Sequence, residues 1–224
     1  MSLDAVLKVG GSLSRGGGLA ALCKEISRLG KRYTLLVVPG GGEFANQVRE
    51  AYLRHGLDET TAHCMALLAM DQFGYLLSAL ITGSALTSDL PSACQAAESG
   101  RAAILLPSAL VLHADPLPHS WKVTSDTIAA WIAHEAHCRR LVLLKDVDGL
   151  WAAETAGDST PELIAELTVK QLAEHAGGVD AYLSRFLAST DLETWIINGR
   201  KPERLSELLS TFQTSGTHIT SETK

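Results

Sequence analysis

Short apolar runs alternate with amphipathic stretches along the whole chain, and glycines follow several of the apolar runs. Residues 3–9 form a β-like run that ends at two glycines. Residues 33–38 form a nearly all-apolar run that ends at Pro39 and three more glycines. Strands that are apolar on both sides are typical of a parallel sheet covered by helices on both faces. The alternation therefore predicts an α/β fold, a three-layer α/β/α sandwich with a mainly parallel central sheet.

Apolar residues at helical spacing lie between these runs and predict the connecting helices. Asp58 and Ser125 are each expected to cap a helix at its N-terminus. The helices expected on this basis span 18–29, 43–55, 58–80, 125–137, 168–174, 179–187 and 202–209. Further strands are expected at 102–106, 141–144, 194–197 and 216–220, and loops at 113–121 and 152–160. No linker divides the chain, so a single domain over residues 1–224 is expected.

The composition fits a globular protein. The chain has 224 residues, of which 46% are hydrophobic and 20% charged, and a formal net charge of −6. Such a chain lacks the excess of basic residues with which proteins bind nucleic-acid phosphates, and no apolar run approaches the roughly 20 residues of a membrane span. No secretion signal is recognisable, and the four cysteines form no C-x-x-C pair. We therefore expect a cytoplasmic protein with reduced thiols and with neither nucleic acid nor membrane as a partner.

Two glycine clusters at predicted strand ends are the first candidate chemistry: Gly10-Gly11-Ser12 and Gly40-Gly41-Gly42. Ligands of open α/β sheets bind at the carboxyl ends of the strands, and glycine loops there expose N–H groups that favour phosphate. Lys8 lies within an apolar run, where a lysine is costly unless it meets an anion. Neither the P-loop nor the dinucleotide-binding pattern is present. The clusters are thus candidate phosphate cradles, or else tight turns without a ligand.

Four motifs occur in order along the chain: Lys8-Val-Gly-Gly-Ser12, Pro39-Gly-Gly-Gly42, Ser125-Asp126 and Lys145-Asp-Val-Asp-Gly149. Their order and spacing resemble those of the amino acid kinase superfamily over nearly the whole chain, up to Gly216-Thr217. Longer strings are similar to the branch of that superfamily that phosphorylates [5-(aminomethyl)furan-3-yl]methyl phosphate in methanofuran biosynthesis. These strings are 69–72 (Ala-Met-Asp-Gln), 120–130 (Ser-Trp-Lys-Val-Thr-Ser-Asp-Thr-Ile-Ala-Ala) and 198–204 (Asn-Gly-Arg-Lys-Pro-Glu-Arg).

The resemblance implies direct transfer of the γ-phosphoryl group of ATP, with Mg²⁺, to a small phosphorylated acceptor, by a homo-oligomeric enzyme. It implies an acceptor-binding half at about 1–125 and a nucleotide-binding half at 126–224, and no metal-ligating residue. The catalytic residues it implies are Lys8, Asp126 and Lys145. The nucleotide-binding residues it implies are Gly10, Gly11, Ser12, Asp146, Asp148, Gly149, Trp151, Asn198, Gly199 and Lys201. The acceptor-binding residues are Gly40, Gly41, Gly42, Glu43 and Asp71, the two carboxylates being candidates for the acceptor's ammonium group.

Several of these residues also have a purely structural interpretation. Asp126 suits the first turn of a helix, Asp148-Gly149 suits a turn, Asn198 precedes a strand-to-helix turn, and Trp151 would suit a core.

One departure from the superfamily concerns a second lysine. Many members carry Gly-Gly-Met-x-x-Lys, whereas here Gly177-Gly178-Val179 is followed by Asp180 and no lysine. Lys145, Lys122 or Mg²⁺ are the candidates to replace that charge. The alternatives that remain are a UMP kinase or isopentenyl phosphate kinase, a carboxylate kinase of the acetylglutamate kinase type, and a non-catalytic nucleotide- or oxyanion-binding protein.

Overall fold

The computed structural model describes residues 3–152, 162–175 and 177–220. Within them the strands are β1 (Ala5–Val9), β2 (Leu35–Pro39), β3 (Ala85–Thr87), β4 (Ala103–Leu105), β5 (Arg140–Lys145), β6 (Leu150–Trp151), β7 (Leu163–Ile164), β8 (Glu166–Thr168), β9 (Glu193–Asn198) and β10 (Thr217–Thr220). Eight of them form one sheet in the order β3-β4-β2-β1-β5-β9-β10-β8, and β6 and β7 form an antiparallel pair. The pairs from β3 to β9 are all parallel, and β10 is antiparallel to β9.

Helices cover both faces of this sheet, as the sequence predicts. They are α1 (Leu19–Leu29), α2 (Gly42–His55), α3 (Glu59–Leu80), α4 (Leu90–Glu98), α5 (Pro107–Ala114), α6 (Ser125–Glu135), α7 (Val169–Glu174), α8 (Leu183–Leu187) and α9 (Glu203–Thr211), with a 3₁₀ helix at Gly11–Ser14. One core packs α1 and α9 against the sheet, and the other packs α6 against the opposite face. Among the described residues, no helix is long and apolar enough to cross a membrane.

Strand register brings the chemistry to one edge of the sheet. Val9 at the end of β1 pairs with Pro39 of β2 and with Leu144 of β5, and Leu144 pairs with Ile197 of β9. Because these strands are parallel, the segments that follow them all leave from the same carboxyl edge. The two glycine loops, Lys145 and Asn198 therefore meet at that edge.

Local sequence explains the elements that frame this edge. A buried stripe of Leu22, Ile26 and Leu29 holds α1 on the sheet. Asp58 caps α3 as predicted, because its carboxylate accepts a hydrogen bond of 2.7 Å from the N–H of Thr61. The strands and helices predicted from periodicity are present, with ends shifted by one to three residues in most cases.

Other expectations were wrong. Thr124 rather than Ser125 caps α6, and Ser125 is the first helical residue. The helix expected over 179–187 is confined to Leu183–Leu187. Asp180 precedes it, because its carboxylate accepts a hydrogen bond from the hydroxyl of Thr124 at the start of α6. Part of the loop expected at 113–121 belongs to α5. Strand β3 and helix α4 were not predicted, and most of the loop expected at 152–160 lies outside the described residues.

Candidate active site

The two glycine loops touch each other through their backbones. A Cβ atom on Gly11 would lie 2.1 Å from the amide nitrogen of Gly42, and one on Gly40 would lie 2.9 Å from the nitrogen of Gly11. Both distances are shorter than real Cβ contacts, so a side chain at either position would push the loops apart. Glycine is therefore required here for a close approach between two chain segments.

Only part of each loop has N–H groups available for a ligand. The N–H of Gly10 donates to the carbonyl of Leu144 at 2.8 Å, and that of Gly40 donates to the carbonyl of Val9 at 2.9 Å. The expectation that the Gly10 amide holds phosphate is therefore wrong, and Gly40 likewise serves the sheet. Gly42 opens α2, with Gly41 as its N-cap residue. The first N–H groups of a helix have no partner within it, and they point where an anion would bind.

A buried carboxylate joins the two predicted lysines beside these loops. The Nζ atom of Lys8 lies 2.7 Å from Oδ1 of Asp126, and Nζ of Lys145 lies 2.6 Å from Oδ2. Side-chain exposure is 6% for Lys8, 3% for Asp126 and 16% for Lys145. The Lys8 contact is an ion pair without good hydrogen-bond alignment, because Oδ1 has no hydrogen-bond partner of acceptable geometry. The structure thus brings the three predicted catalytic side chains into one cluster.

This cluster carries two positive charges and one negative charge in a poorly solvated place. Burial lowers the pKa of Lys8, and repulsion from Lys145 adds to that effect although Asp126 opposes it. Burial acts to raise the pKa of Asp126, but attraction by Lys8 and Lys145 and the hydrogen bond from Lys145 outweigh it and bring this pKa to about 2. Asp126 is therefore ionised at neutral pH, and the surplus positive charge can be satisfied by an anion.

Asp180 fixes the helix that carries Asp126. Its Oδ2 atom accepts hydrogen bonds from the N–H and the hydroxyl of Thr124, at 3.0 and 2.9 Å, and from the N–H of Thr127, at 3.0 Å. Its Oδ1 atom accepts from the Thr127 hydroxyl, at 2.6 Å, and from the N–H of Tyr182, at 3.2 Å. Many superfamily members have a lysine in this segment. In this chain the segment provides an aspartate that fixes the first turn of α6. The sequence shows an acid here, but no local signal connects it with a helix more than fifty residues earlier.

The residues expected on the nucleotide side gather around Asp148. Its Oδ1 atom accepts from the side-chain amide of Asn198 at 3.0 Å and from Lys201 at 3.0 Å, and it lies 2.7 Å from a guanidinium nitrogen of Arg204. Hydrogen bonds from Asn198 and Lys201 lower the pKa of Asp148, and the charge of Arg204 adds to that. Arg204 was not among the predicted site residues, although it belongs to the string at 198–204 from which three were taken.

Neighbouring residues tie the same region to the glycine loops. The hydroxyl of Ser12 donates to Asp146 at 2.8 Å, which joins the loop after β1 to the loop after β5. Gly199 packs so closely on Leu13 that its Cβ would lie 2.6 Å from that side chain, and a Cβ on Gly149 would lie 2.6 Å from the Thr217 hydroxyl. Trp151 is 44% exposed on β6, where a nucleotide base could reach it.

Arg200 is a second residue that sequence reasoning missed. Its guanidinium donates to the carbonyls of Arg15, Gly16 and Gly17, at 2.9 to 3.2 Å. It therefore holds the turn that follows the first glycine loop, although it lies at the other end of the chain. A surface arginine in a polar string gives no sequence signal for such a role.

The predicted acceptor residues are dispersed. Glu43 is exposed and lies 3.6 Å from Arg15. Asp71 accepts hydrogen bonds from the N–H and hydroxyl of Ser108, where α5 begins, so its carboxylate joins α3 to α5. Gly41 lines a cavity of about 100 Å³ between α2, α3 and the segment before α6. Lys122, a candidate second cation, is exposed.

The arrangement suits phosphoryl chemistry better than nucleophilic or metal catalysis by side chains. Transfer of a phosphoryl group needs positioning and neutralisation of charge rather than a covalent intermediate. The excess positive charge of the Lys8–Asp126–Lys145 cluster supplies the neutralisation of charge, and the N–H groups at the starts of the 3₁₀ helix and α2 supply the positioning. Among the described residues, no group of three His, Cys, Asp or Glu side chains could hold a metal ion.

Known proteins resemble this chain over most of its length. It is 29% identical over 208 residues to the [5-(aminomethyl)furan-3-yl]methyl phosphate kinase of Methanocaldococcus jannaschii, an alignment that covers 91% of this chain and 92% of the relative. It is 23% identical over 194 residues to the uridylate kinase of Methanosarcina barkeri, with 82% and 80% covered. The crystal structure of uridylate kinase from Archaeoglobus fulgidus superposes with a TM-score of 0.75 at 21% identity, over 96% of this chain and 99% of that one, and confirms the fold. Residues 5–191 match the model of the amino acid kinase family, and the chain therefore belongs to that family of phosphotransferases.

Proposed function

We propose that this enzyme transfers the γ-phosphoryl group of ATP to the phosphate of a small acceptor, converting [5-(aminomethyl)furan-3-yl]methyl phosphate to its diphosphate. The observation that carries the proposal is the buried Lys8–Asp126–Lys145 cluster at the contact between the two glycine loops. Two adjacent anion-binding loops would hold the two phosphates between which the group is transferred. These loops come from neighbouring strands and are separated by no side chain.

Each half of the chain then contributes one side of the reaction. The N–H groups at Gly41 and Gly42 receive the acceptor phosphate, because they lie at the start of α2 and Gly41 borders the cavity. Gly11, Ser12 and Lys8 receive the transferring group, and Lys145 neutralises its charge from the side of β5. Asp126 holds the ammonium groups of Lys8 and Lys145 in position for the transferring group, one at each of its carboxylate oxygens. This division assigns residues 1–125 mainly to the acceptor and 126–224 mainly to the nucleotide.

The donors on this chain do not build a resident magnesium site. Both oxygens of Asp126 contact ammonium groups, and within the described ranges no three-residue cluster could hold the ion. Mg²⁺ usually keeps several waters and binds nucleotide phosphates together with few protein ligands. The metal would therefore arrive on ATP, and the roles given to the side chains above do not depend on it.

The furan acceptor is favoured over UMP by sequence similarity. Identity is 29% to the furan phosphate kinase of Methanocaldococcus jannaschii and 23% to the uridylate kinase of Methanosarcina barkeri.

The test is ATP consumption at fixed Mg²⁺ with aminomethylfuranmethyl phosphate, UMP, isopentenyl phosphate and acetylglutamate as acceptors. Preference for the furan phosphate, with ADP and the furan diphosphate as products, is the expected result. Preference for UMP or isopentenyl phosphate would refute the acceptor and keep the chemistry. Nucleotide binding without turnover of any acceptor would refute the proposed activity and favour a binding protein.

We also propose that the enzyme is a homo-oligomer. Helix α3 presents the apolar side chains of Leu68, Tyr75, Leu76 and Leu80 to solvent, at 38% to 61% exposure. Adjacent exposed apolar side chains on one helix are typical of a protein–protein interface. Light scattering after gel filtration should give a mass that is a multiple of 23.9 kDa, and a monomer at micromolar concentration would refute the assignment.

A further inference from the structure

A turn of three consecutive glycines joins the first glycine loop to α1. Gly16, Gly17 and Gly18 follow the 3₁₀ helix and precede Leu19, the first residue of α1. All three have positive φ angles, of +73°, +80° and +92°. A run of glycines is costly to hold in one conformation, because glycine loses more conformational freedom on folding than any other residue. Contacts from outside the turn therefore have to fix it.

The side chain of Arg200 provides such contacts. Its Nη2 atom donates to the carbonyl of Arg15 at 2.9 Å, and Nη1 donates to the carbonyls of Gly16 and Gly17 at 3.1 and 3.2 Å. Among the described residues, no backbone N–H group donates to these three carbonyls. The guanidinium also fills the inside of the turn, because a Cβ atom on Gly16 would lie 3.2 Å from Nη1. One planar cation thus satisfies three carbonyls that converge on it.

The backbone of Arg200 is fixed from the expected nucleotide side. Its N–H donates to Oδ1 of Asn198 at 2.9 Å, and the amide nitrogen of Asn198 donates to Asp148 at 3.0 Å. Asn198 is buried, and both ends of its amide are engaged by these two partners. The carboxylate at the centre of the nucleotide-side residues is therefore connected to Arg200 through one buried amide.

The turn that Arg200 holds adjoins both glycine loops. Arg15 ends the 3₁₀ helix at Gly11–Ser14, and its N–H donates to the carbonyl of Ser12 at 3.2 Å. The Nε atom of Arg15 lies 3.6 Å from the carboxylate of Glu43, in the first turn of α2. A movement of this turn would therefore be passed directly to the loop that follows β1.

We infer that Arg200 is a positioning residue for phosphoryl transfer, which holds the first glycine loop in register with the nucleotide side. The inference rests on the proposed function, in which Gly11 and Ser12 receive the transferring group. Such transfer depends on positioning, and a displacement of about 1 Å can lower a rate about a hundredfold. Because its guanidinium is committed to three carbonyls, Arg200 acts through the loop and not on the nucleotide. Its loss should therefore lower kcat far more than it raises KM for ATP.

The test compares Arg200→Ala and Arg200→Lys with a matched control, Arg101→Ala. Arg101 makes the same kind of contact, since its guanidinium donates to the carbonyls of Gly83 and Ser84 at 3.1 and 2.6 Å. These two residues precede β3, so they lie at the amino edge of the parallel strands, opposite the glycine loops. Steady-state kinetics with ATP and aminomethylfuranmethyl phosphate give kcat and KM for each enzyme. UMP replaces the furan phosphate if the wild type uses UMP instead.

Arg200→Ala should lower kcat about thirty- to hundredfold and change KM for ATP by less than about threefold. Guanidinium chloride at about 20 mM, far below denaturing concentrations, should raise kcat of this variant about fivefold or more. The free ion can occupy the space that the side chain leaves, whereas the same concentration of sodium chloride should have no such effect. Arg200→Lys should lie between wild type and Arg200→Ala, because an ammonium lacks the planar fork of donors. Arg101→Ala should keep kcat within about twofold.

The outcomes separate the inference from the proposed function. An unchanged kcat in Arg200→Ala overturns the inference, and so does a loss that guanidinium does not relieve or that Arg101→Ala shares. A wild type that phosphorylates no acceptor refutes the proposed function and, with it, the inference. Each variant is assayed well below its melting temperature, so that unfolded enzyme does not contribute to the loss. If Arg200→Ala does not fold, Arg200→Lys provides the same comparison of kcat with KM, and an unchanged kcat there overturns the inference.

Discussion

Removal of the buried negative charge between the two lysines should destabilise the protein strongly and in a pH-dependent way. Asp126→Asn keeps the shape of the side chain but leaves Lys8, at 6% exposure, beside Lys145 with no counterion. Breaking a buried ion pair by removing one partner costs about 3–5 kcal/mol. The lysine can limit that cost by losing its proton, which at pH 7 takes about 4.6 kcal/mol from a normal pKa near 10.4. The expected loss in free energy of unfolding at pH 7 is therefore roughly 3–5 kcal/mol.

The dependence on pH follows from the direction of the lysine pKa. The pKa of Lys8 is already lowered in the folded protein, and the neutral amide of the variant would provide no charge to oppose that. Between that lowered pKa and about 10, the unfolded chain of the variant binds more protons than the folded one, so its free energy of unfolding rises with pH. Deprotonation costs only about 1.9 kcal/mol at pH 9. The difference between variant and wild type should thus shrink by up to about 2.7 kcal/mol from pH 7 to pH 9.

Urea unfolding followed by circular dichroism at both pH values measures this difference. Asp58→Asn is the matched control, because it replaces an exposed helix-capping aspartate by an equally good cap. That variant should unfold like the wild type at pH 7 and at pH 9. A loss below about 1 kcal/mol for Asp126→Asn, or one that is equal at the two pH values, would show that the lysines do not depend on this carboxylate.

Three further predictions concern the residues around this cluster. Lys145→Ala should lower kcat by about a hundredfold, whereas Lys122→Ala should leave it within about twofold; steady-state kinetics decide, and the opposite result would make Lys122 the second cation. Gly11→Ala should abolish turnover and lower the melting temperature more than Gly56→Ala, which has a φ of +59° but open space around it; equal melting temperatures would contradict the backbone contact. Asp180→Ala should lower the free energy of unfolding, measured with urea, by roughly 2–4 kcal/mol, and should lower kcat more than it raises KM for ATP. Asp180→Asn should recover part of both losses, and an unchanged kcat in both variants would show that α6 does not need this anchor.

The sheet and the glycine loops were predictable because their signals are local. An apolar run followed by glycines indicates a strand and its turn, and Asp58 three residues before Thr61 indicates a helix cap. The weaker elements lack such signals. Strand β3 has three residues and only one buried side chain. Helix α5 has apolar residues almost throughout, with Pro107 at its start, so its sequence alone cannot be told from a strand followed by a loop.

The cluster of Lys8, Asp126 and Lys145 was predictable from motif order, whereas the residues that hold it were not. Asp180 reaches Thr124 across the fold, and Arg200 reaches the turn at Gly16 from the far end of the chain. Such partners depend on how elements pack, and a single sequence does not record packing. The same reason explains the acceptor side, where Asp71 is a predicted carboxylate for the acceptor's ammonium group but binds Ser108.

The surplus positive charge of the buried cluster has a consequence for the life of the protein in a cell. A ligand that binds only the folded chain stabilises it by mass action, by about 2.7 kcal/mol when its concentration is a hundred times its dissociation constant. Nucleotides and phosphorylated acceptors would each supply the missing anion. The concentration of substrates would then determine how often the protein unfolds, and so how quickly proteases degrade it. Such an enzyme would persist while its substrates are present and would be degraded when they are exhausted.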